Sequence, residues 1–381
     1  MKMRKDYNDT TSYIPVLSFF TGGGFLDIGF EKAGFHPVWT NESNPVFTSL
    51  YAYGMTHWRQ SVSPKAPKAD ISSTVSIEKL FAPEIVKQAF SGTRPDFFGI
   101  IGGPPCPDFS KAGKHKGGDG INGRLSKTFV NRIIKIRPAF FVFENVSGLY
   151  RTKIHREYLG MLERKLEQNG YCLDLRILNA LEMGVPQYRE RLFIIGIQKE
   201  HADKCTNRDL SVKERDWFPW PVKVKYKNVA TKFNWPGIVT DGKEPVLPDG
   251  VPLELTVYSA LGGKICASEI QNGKDIFKAY SDKFSIIKEG DTKRKSFKKL
   301  HRFRYSPTAC YGNNEVHLHP WEKRRLSVRE AMRIQGIPDS YLLPEEASLS
   351  SKFALVSNGV PVPLAYELAK KLKRFFKKGQ L

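Results

Sequence analysis

The sequence predicts an α/β fold: a doubly wound, mostly parallel sheet covered by helices on both faces, joined to a smaller irregular domain. Two observations carry this. From residue 16 to 197 short apolar runs alternate with longer amphipathic ones, the rhythm of strand–helix–strand units. From about 200 to 320 that rhythm is lost, and Pro, Gly and Trp are scattered through WFPWPVKVKYK, NWPGIVTDGKEP and VLPDGVP.

In order along the chain, strands are expected near 16–20, 37–41, 97–101, 140–144, 172–179 and 192–197. Helices are expected at 26–33, 128–136 and 158–168, where apolar residues recur at three- and four-residue spacing. Patterning returns at Ser327, whose hydroxyl is placed to cap the helix in SVREAMRIQ, and again in PLAYELAKKLKRFF. The expected division is 1–199, 200–320 and a C-terminal segment 321–381 whose last helix returns to the first domain.

With 381 residues, 40% of them hydrophobic and 12% aromatic, the chain has enough apolar material for a sizeable core, which excludes a disordered, collagen-like or coiled-coil chain. Sixty Lys and Arg against 39 Asp and Glu leave a formal charge of +21, a field suited to a polyanionic partner. The excess is spread along the whole chain. The five cysteines, at 106, 172, 205, 266 and 310, form no close CxxC pair, so neither a metal site nor a disulfide framework is expected. A reducing cytoplasm suits them, and no apolar run approaches the length of a membrane span or an export signal.

Four motifs carry chemistry. The first strand runs into FTGGGFLDIGF (20–30), a Gly-rich turn opening a helix, where absent β-carbons admit a ligand close to the backbone. A dinucleotide fingerprint wants a third Gly where Asp27 stands, although Glu42 falls where a ribose-binding acid belongs; an adenosine ligand without a pyrophosphate fits better. In IIGGPPCPDFS (100–110) a strand ends in a turn stiffened by three prolines, which fix the backbone around Cys106 more tightly than packing requires and mark it as a nucleophile. The following GKHKGGDG has the composition of a closing cationic loop. AFFVFENV (139–146) delivers Glu144 and Asn145 to the same sheet edge, with Glu144 either an arginine's partner or a proton donor. In VPQYRERLFIIG (185–196), Arg189 and Arg191 point the same way if already extended, as a surface ion-pairing couple or as anion ligands.

Taken together and in this order, these residues resemble the cytosine-5 DNA methyltransferases of bacterial restriction–modification systems. The Gly-rich turn, Glu42, Asp70 in KADIS, the PPC turn, FENV, QYRER, RLSVREAMRIQGIPDSY and SNGVPVPLAYELAKKL look like the family's blocks in their usual order. The resemblance implies a Rossmann-like S-adenosylmethionine-dependent fold, with 200–320 as the target-recognition domain. It implies Cys106 as nucleophile, Glu144 as the acid at ring nitrogen 3, and Arg189 and Arg191 as polar contacts around the base and the cysteine. Phe20, Gly22, Gly24, Glu42, Asp70, Ile71, Pro105, Leu125, Asn358 and Val360 match positions that surround S-adenosylmethionine. Two departures stand out: Phe25 occupies the place of a frequent second consecutive Gly, and Pro107 follows the cysteine where Gln is usual, removing a backbone donor.

The implied reaction is methylation of cytosine carbon 5 in a specific double-stranded DNA sequence, with the base flipped out of the stack. The implied protein is a cytoplasmic, nucleoid-associated monomer whose DNA is protected from a partner endonuclease. Within the recognition region KRKSFKKLHRFRY (293–305) mixes cations with aromatics, so Arg302 or Arg304 is expected to read base edges and Lys298 or Lys299 to meet phosphates. An RNA cytosine methyltransferase on the same fold typically carries a Cys-Phe-Thr run in this region, and Cys205, Cys266 and Cys310 lack that context. An inactive DNA-binding relative would have lost the PPC turn or the FENV acid. An NAD-dependent oxidoreductase has no use for the cysteine turn.

Overall fold

The structure is a computed structural model describing residues 13–105, 121–240, 243–262, 266–278, 282–294, 296–308, 311 and 317–380. Cys106, Pro107, the loop 113–120, Lys295 and Cys310 lie outside the described residues.

Six strands, β1 (Ile14–Phe19), β2 (Phe35–Asn41), β3 (Gly99–Gly102), β4 (Phe140–Val146), β5 (Tyr171–Asn179) and β6 (Glu190–Gln198), form one sheet in the order β2-β1-β3-β4-β6-β5. β1, β2, β3 and β4 pair in parallel, and β6 runs antiparallel between β4 and β5. The sheet is therefore mostly parallel, as the sequence predicts. The reversal at β6 follows from the short connection after β5, a single 3₁₀ turn over Ala180–Met183, which is too short for a parallel crossover. Strand order reverses between β1 and β3, so their carboxyl ends flank the crevice where ligands bind in open α/β sheets.

Helices α1 (Phe25–Ala33), α2 (Pro45–Val62), α3 (Ala82–Ala89), α4 (Ile121–Ile136), α5 (Gly148–Arg151), α6 (Lys153–Glu167) and α7 (Lys199–Thr206) accompany the sheet. Val16, Ile101, Phe140, Val142, Phe193 and Ile195 pack on one face with Leu26 and Phe30 of α1. Their alternates Leu17, Ile100, Phe141, Phe143, Leu192 and Ile194 pack on the other with Phe129 of α4 and Leu162 of α6. This two-sided burial explains why the strands read as continuous apolar runs.

The irregular region holds α8 (Val229–Lys232), α9 (Val257–Gly262), α10 (Lys283–Ile286) and the two-residue strands β7 (Lys298–Lys299) and β8 (His317–Leu318). After it come α11 (Val328–Ile334), α12 (Leu349–Asn358) and α13 (Val362–Lys378). Ser327 caps α11 by accepting from the Glu330 N–H while Glu330 accepts from the Ser327 N–H at 2.7 Å. Leu364, Leu368, Leu372 and Phe376 seat α13 on the first sheet face. Beyond the boundary expected at 200, Ala202 and Cys205 of α7 and Leu210, Trp217, Phe218 and Trp220 pack into that same face. Trp217 also donates its indole N–H to the Leu173 carbonyl at 3.1 Å, and Phe218 N–H donates to Asp174 at 2.8 Å. The apolar spacing here is carried by Trp and Phe in a Pro-rich loop, which has no helix or strand period to reveal it.

The second core joins Phe25 and Ile28 of α1 to Leu50, Tyr51 and Met55 of α2, to Met332 of α11 and to Leu355 of α12, with Val257 and Leu300 from the irregular region. A smaller cluster of Val229, Trp235, Val251 and Leu255 forms against Leu181. Among the described residues no helix is long and apolar enough to cross a membrane.

Candidate active site

The motifs follow or end strands β1, β2, β3 and β4, on either side of the switch in strand order between β1 and β3. Phe20 follows β1 with a φ of 54°, and Gly22 and Gly24 also have positive φ, so the turn folds back to start α1. A β-carbon on Gly24 would lie 2.7 Å from Met55 and Tyr51, so only glycine fits there. In front of Gly22 the space is open to 4 Å among the described residues. At the end of β2, the Glu42 carboxylate accepts from Gly22 N–H at 3.0 Å and Asn44 N–H at 2.8 Å, which fixes it beneath the turn. Asp70 and Ile71 run beside it. Thr40 donates its hydroxyl to the Asp70 carbonyl at 3.2 Å, and Asn41 bridges to Ser73.

Phe20 and Leu125 are half-buried against the α4 side of the sheet, with Phe20 edge-on to Phe129 at 5.7 Å. Asn358 is exposed at the end of α12, and Val360 is buried in the turn between α12 and α13. The donor set fits S-adenosylmethionine: a carboxylate poised for ribose hydroxyls, apolar side chains for a flat base, and bare backbone at Gly22.

β3 ends at Gly102 beside Phe143, so the PPC turn departs next to Glu144. A β-carbon on Gly103 would lie 2.5 Å from Glu144 Oε2, so the strand end must be bare for the carboxylate to sit there. Asn145 donates to the Pro104 carbonyl at 3.4 Å, and Pro105, exposed, is the last described residue before Cys106. Glu144 is buried. Desolvation raises its pKa above the ordinary carboxylate value, and Arg191 and then Arg189 pull it back only in part. Arg191 Nε lies 3.1 Å from Glu144 Oε1.

Arg189, expected as a polar contact around the base and the cysteine, lies just before β6. It is fully buried, and its Nη2 donates to the carbonyls of Ser357 at 2.5 Å and Gly359 at 3.0 Å, bracing the turn between α12 and α13. Its charge still reaches Glu144. Arg302 and Arg304, expected to read base edges, are also committed within the fold. Arg302 forks onto Glu289, with Nε 3.0 Å from Oε1 and Nη2 2.9 Å from Oε2, while Arg304 donates to the Pro236 carbonyl at 3.1 Å. Both bonds were invisible in a local reading because their partners are remote in sequence.

Three groups escaped the sequence reading. Asp27, noted only as a missing glycine, is wholly buried under the turn, accepting from Ser18 Oγ at 2.6 Å and Tyr51 OH at 3.1 Å; burial pushes its pKa up to about 6. Tyr341 donates its hydroxyl to the Gly23 carbonyl at 2.8 Å. Gln187, fully buried two residues before Arg189, has no hydrogen-bond partner for either amide atom among the described residues. The signal for Asp27 and Gln187 was a polar side chain on an inward-facing position.

Comparison with known proteins gives the family. The chain matches the family described as C-5 cytosine-specific DNA methylase over residues 14–374. It is 41% identical over 366 residues to the Type II methyltransferase M.NmeDI of Neisseria meningitidis serogroup C, covering 94% of this chain and 83% of that protein. The Type II methyltransferase M.FnuDI of Fusobacterium nucleatum is 29% identical over 369 residues, with 94% of each chain covered. Among solved structures, a prophage-encoded E. coli protein solved as a candidate DNA modification methyltransferase superposes with a TM-score of 0.61 at 22% identity, over 96% of this chain and 99% of that one. Spodoptera frugiperda DNMT2 gives 0.55 at 16% identity, over 94% and 99%; both likenesses concern the fold. A match across nearly the whole chain, with the Gly-rich turn, the PPC strand end and the FENV acid at one sheet edge, places this chain in the C-5 cytosine-specific DNA methylase family, as a DNA (cytosine-5-)-methyltransferase.

Proposed function

We propose that the enzyme methylates one cytosine within a specific double-stranded DNA sequence, as the modification half of a type II restriction–modification pair, through covalent addition of Cys106 to carbon 6 of a flipped base. The observation that carries this reading is the burial of Glu144 beside the strand that leads to Cys106, with its pKa raised by desolvation. Carbon 5 of cytosine is a poor nucleophile. Addition of a thiolate at carbon 6 forms a C–S bond and pushes an electron pair onto carbon 5, and protonation at ring nitrogen 3 by Glu144 relieves the charge. S-adenosylmethionine, when bound, supplies the methyl group. The carbon 5 proton then leaves to solvent, and its electron pair expels the thiolate.

Arg191, in contact with Glu144, orients the acid, and Arg191 and Arg189 would supply the polar contacts around the base and the cysteine, with Arg189 also bracing the turn after α12. Glu42, with Phe20, Gly22, Gly24, Asp70, Ile71, Pro105, Leu125, Asn358 and Val360, would hold the cofactor. The irregular region after Trp220 would read the DNA, with the positive field of the chain supplying most of the affinity. The protein would act as a monomer, and a partner endonuclease would cut the same site without needing to bind it. Expression from a plasmid, followed by bisulfite sequencing of that plasmid, tests the reading: cytosines protected within one recurring motif support it, and uniform conversion refutes it.

A further inference from the structure

Gly359 lies at the meeting point of the two turns assigned to the cofactor. Its φ of −71° and ψ of 155° suit any residue, so backbone conformation does not explain a glycine here. Space does. A β-carbon at 359 would lie 2.1 Å from Phe25 Cδ2 and 2.7 Å from Cε2, so the aromatic ring fills the volume that a side chain would need. Phe25 is the first residue of α1, directly after Gly24, and is 1% exposed. Its ring also flanks Gly23, where a β-carbon would lie 2.9 Å from Cζ, and meets Tyr341 edge-on at 5.1 Å.

The far side of Gly359 is equally fixed. Its carbonyl accepts from Arg189 Nη2 at 3.0 Å and from Gln335 Nε2 at 2.8 Å. The same two donors reach the carbonyls of Ser357 at 2.5 Å and Val356 at 2.6 Å at the end of α12, where Val356 also accepts the Gly359 N–H at 3.3 Å. Arg189 and Gln335 are both fully buried. The turn carrying Asn358 and Val360 is thus pulled toward β6 and α11 by two buried donors and stopped against the Gly-rich turn by one aromatic ring.

We infer that Phe25 is a positioning residue that sets the separation of the two cofactor-holding turns, and that Gly359 is kept without a side chain to seat it. The inference rests on the cofactor reading above. It turns the departure of this chain from the family pattern at position 25 into half of a complementary pair. The ring is a spacer: without it the turn 357–360 closes on Gly23, and with a β-carbon at 359 the turn is driven away. Either change displaces Asn358 and Val360 from the pocket while leaving the DNA-facing parts of the chain in place.

The experiment is a double-mutant cycle on the full-length enzyme with Phe25→Ala, Gly359→Ala and the double variant. S-adenosylmethionine is titrated by calorimetry, its KM and kcat are measured, and DNA affinity and Tm are followed alongside. For neighbours that share one volume the losses should not add: Gly359→Ala alone weakens S-adenosylmethionine about tenfold or more, but less than about threefold in the Phe25→Ala background. KM for the cofactor rises with the loss, kcat changes little and DNA affinity is unaltered. Additive losses, or Gly359→Ala binding cofactor as the wild type does, overturn the inference. If Gly359→Ala does not fold, Phe25→Ala, which adds no atoms, decides: weakened cofactor supports the spacer, and unchanged cofactor affinity with a lowered Tm makes the ring merely structural and overturns it. A wild-type enzyme that binds no S-adenosylmethionine refutes the cofactor reading instead, which keeps the two failures distinct.

Discussion

Arg191 on β6 reaches across the antiparallel pair to place its Nε 3.1 Å from Glu144 Oε1, so the proposed acid and a guanidinium share one buried site. Desolvation raises the Glu144 pKa and Arg191 opposes it. Since the protonated form is the donor to ring nitrogen 3, activity should fall as pH rises past that pKa. Arg191→Met removes the largest opposing charge, so the alkaline limb of the kcat profile should move to higher pH while kcat itself drops. A limb that stays in place would separate Glu144 from the proton transfer.

Glu42 and Glu144 differ in what holds them, and their substitutions should divide accordingly. Glu42→Ala removes the acceptor of the Gly22 and Asn44 N–H groups together with the proposed ribose contact. Cofactor binding should weaken by about 1.5–3 kcal/mol, the range for a charged hydrogen bond. Glu144→Gln should depress the chemical step and leave cofactor affinity near that of the wild type. Titrating S-adenosylmethionine into both variants checks this, and equal losses would contradict it.

Asp27 makes a prediction about stability. Its pKa is about 6 in the folded protein against 3.8 for an ordinary aspartate, raised chiefly by burial, with hydrogen bonds from Ser18 and Tyr51 lowering it. Between those values the folded state keeps a proton that the unfolded state has lost. The associated stability is therefore fully present below pH 3.8 and is lost as pH rises through about 6. Asp27→Asn lacks this dependence, so its stability relative to the wild type should improve with rising pH by on the order of 1.4 kcal/mol per unit inside that window and level off above it. Urea unfolding of both proteins across the window measures the difference.

Arg302 carries the fourth prediction. Forked onto buried Glu289, it should act on stability first. Arg302→Met takes the guanidinium from a buried carboxylate that keeps the residue-302 backbone N–H, and should cost on the order of 2 kcal/mol. Removing Glu289 as well, in Arg302→Met/Glu289→Met, should recover much of that loss. Denaturation midpoints for the two variants settle the point. A stable Arg302→Met with a changed methylation motif would return Arg302 to base reading.

Much of the molecule was legible because its elements announce themselves locally. The strands, α1, α4, α6 and the Ser327 cap follow from apolar period and capping chemistry, and the motif order placed the Gly-rich turn and Glu144 at one edge. Helix α2 was missed although Asn44 caps it and Pro45 opens it, because its buried face sets Gly54 and Arg59 among Leu50, Tyr51, Met55 and Trp58. The antiparallel direction of β6 leaves no mark in an apolar run. What could not be read were contacts between distant segments. Arg189 bonds Ser357 and Gly359, Arg302 bonds Glu289, and Phe25 fits Gly359, each a matter of three-dimensional proximity rather than spacing.

The covalent step through Cys106 is the centre of this account, and trapping tests it most directly. Duplex DNA carrying 5-fluorocytosine in place of cytosine is incubated with the enzyme and S-adenosylmethionine, and the products are digested and read by mass spectrometry. Fluorine cannot leave carbon 5 as a proton does, so the thiolate should not be expelled. The expected result is a stable protein–DNA adduct with the base, now bearing methyl and fluorine, bonded to the Cys106 sulfur, and no adduct with Cys106→Ala. Methylation of ordinary cytosine by an enzyme that forms no adduct with the fluorinated duplex, or an adduct that survives in Cys106→Ala, would contradict it.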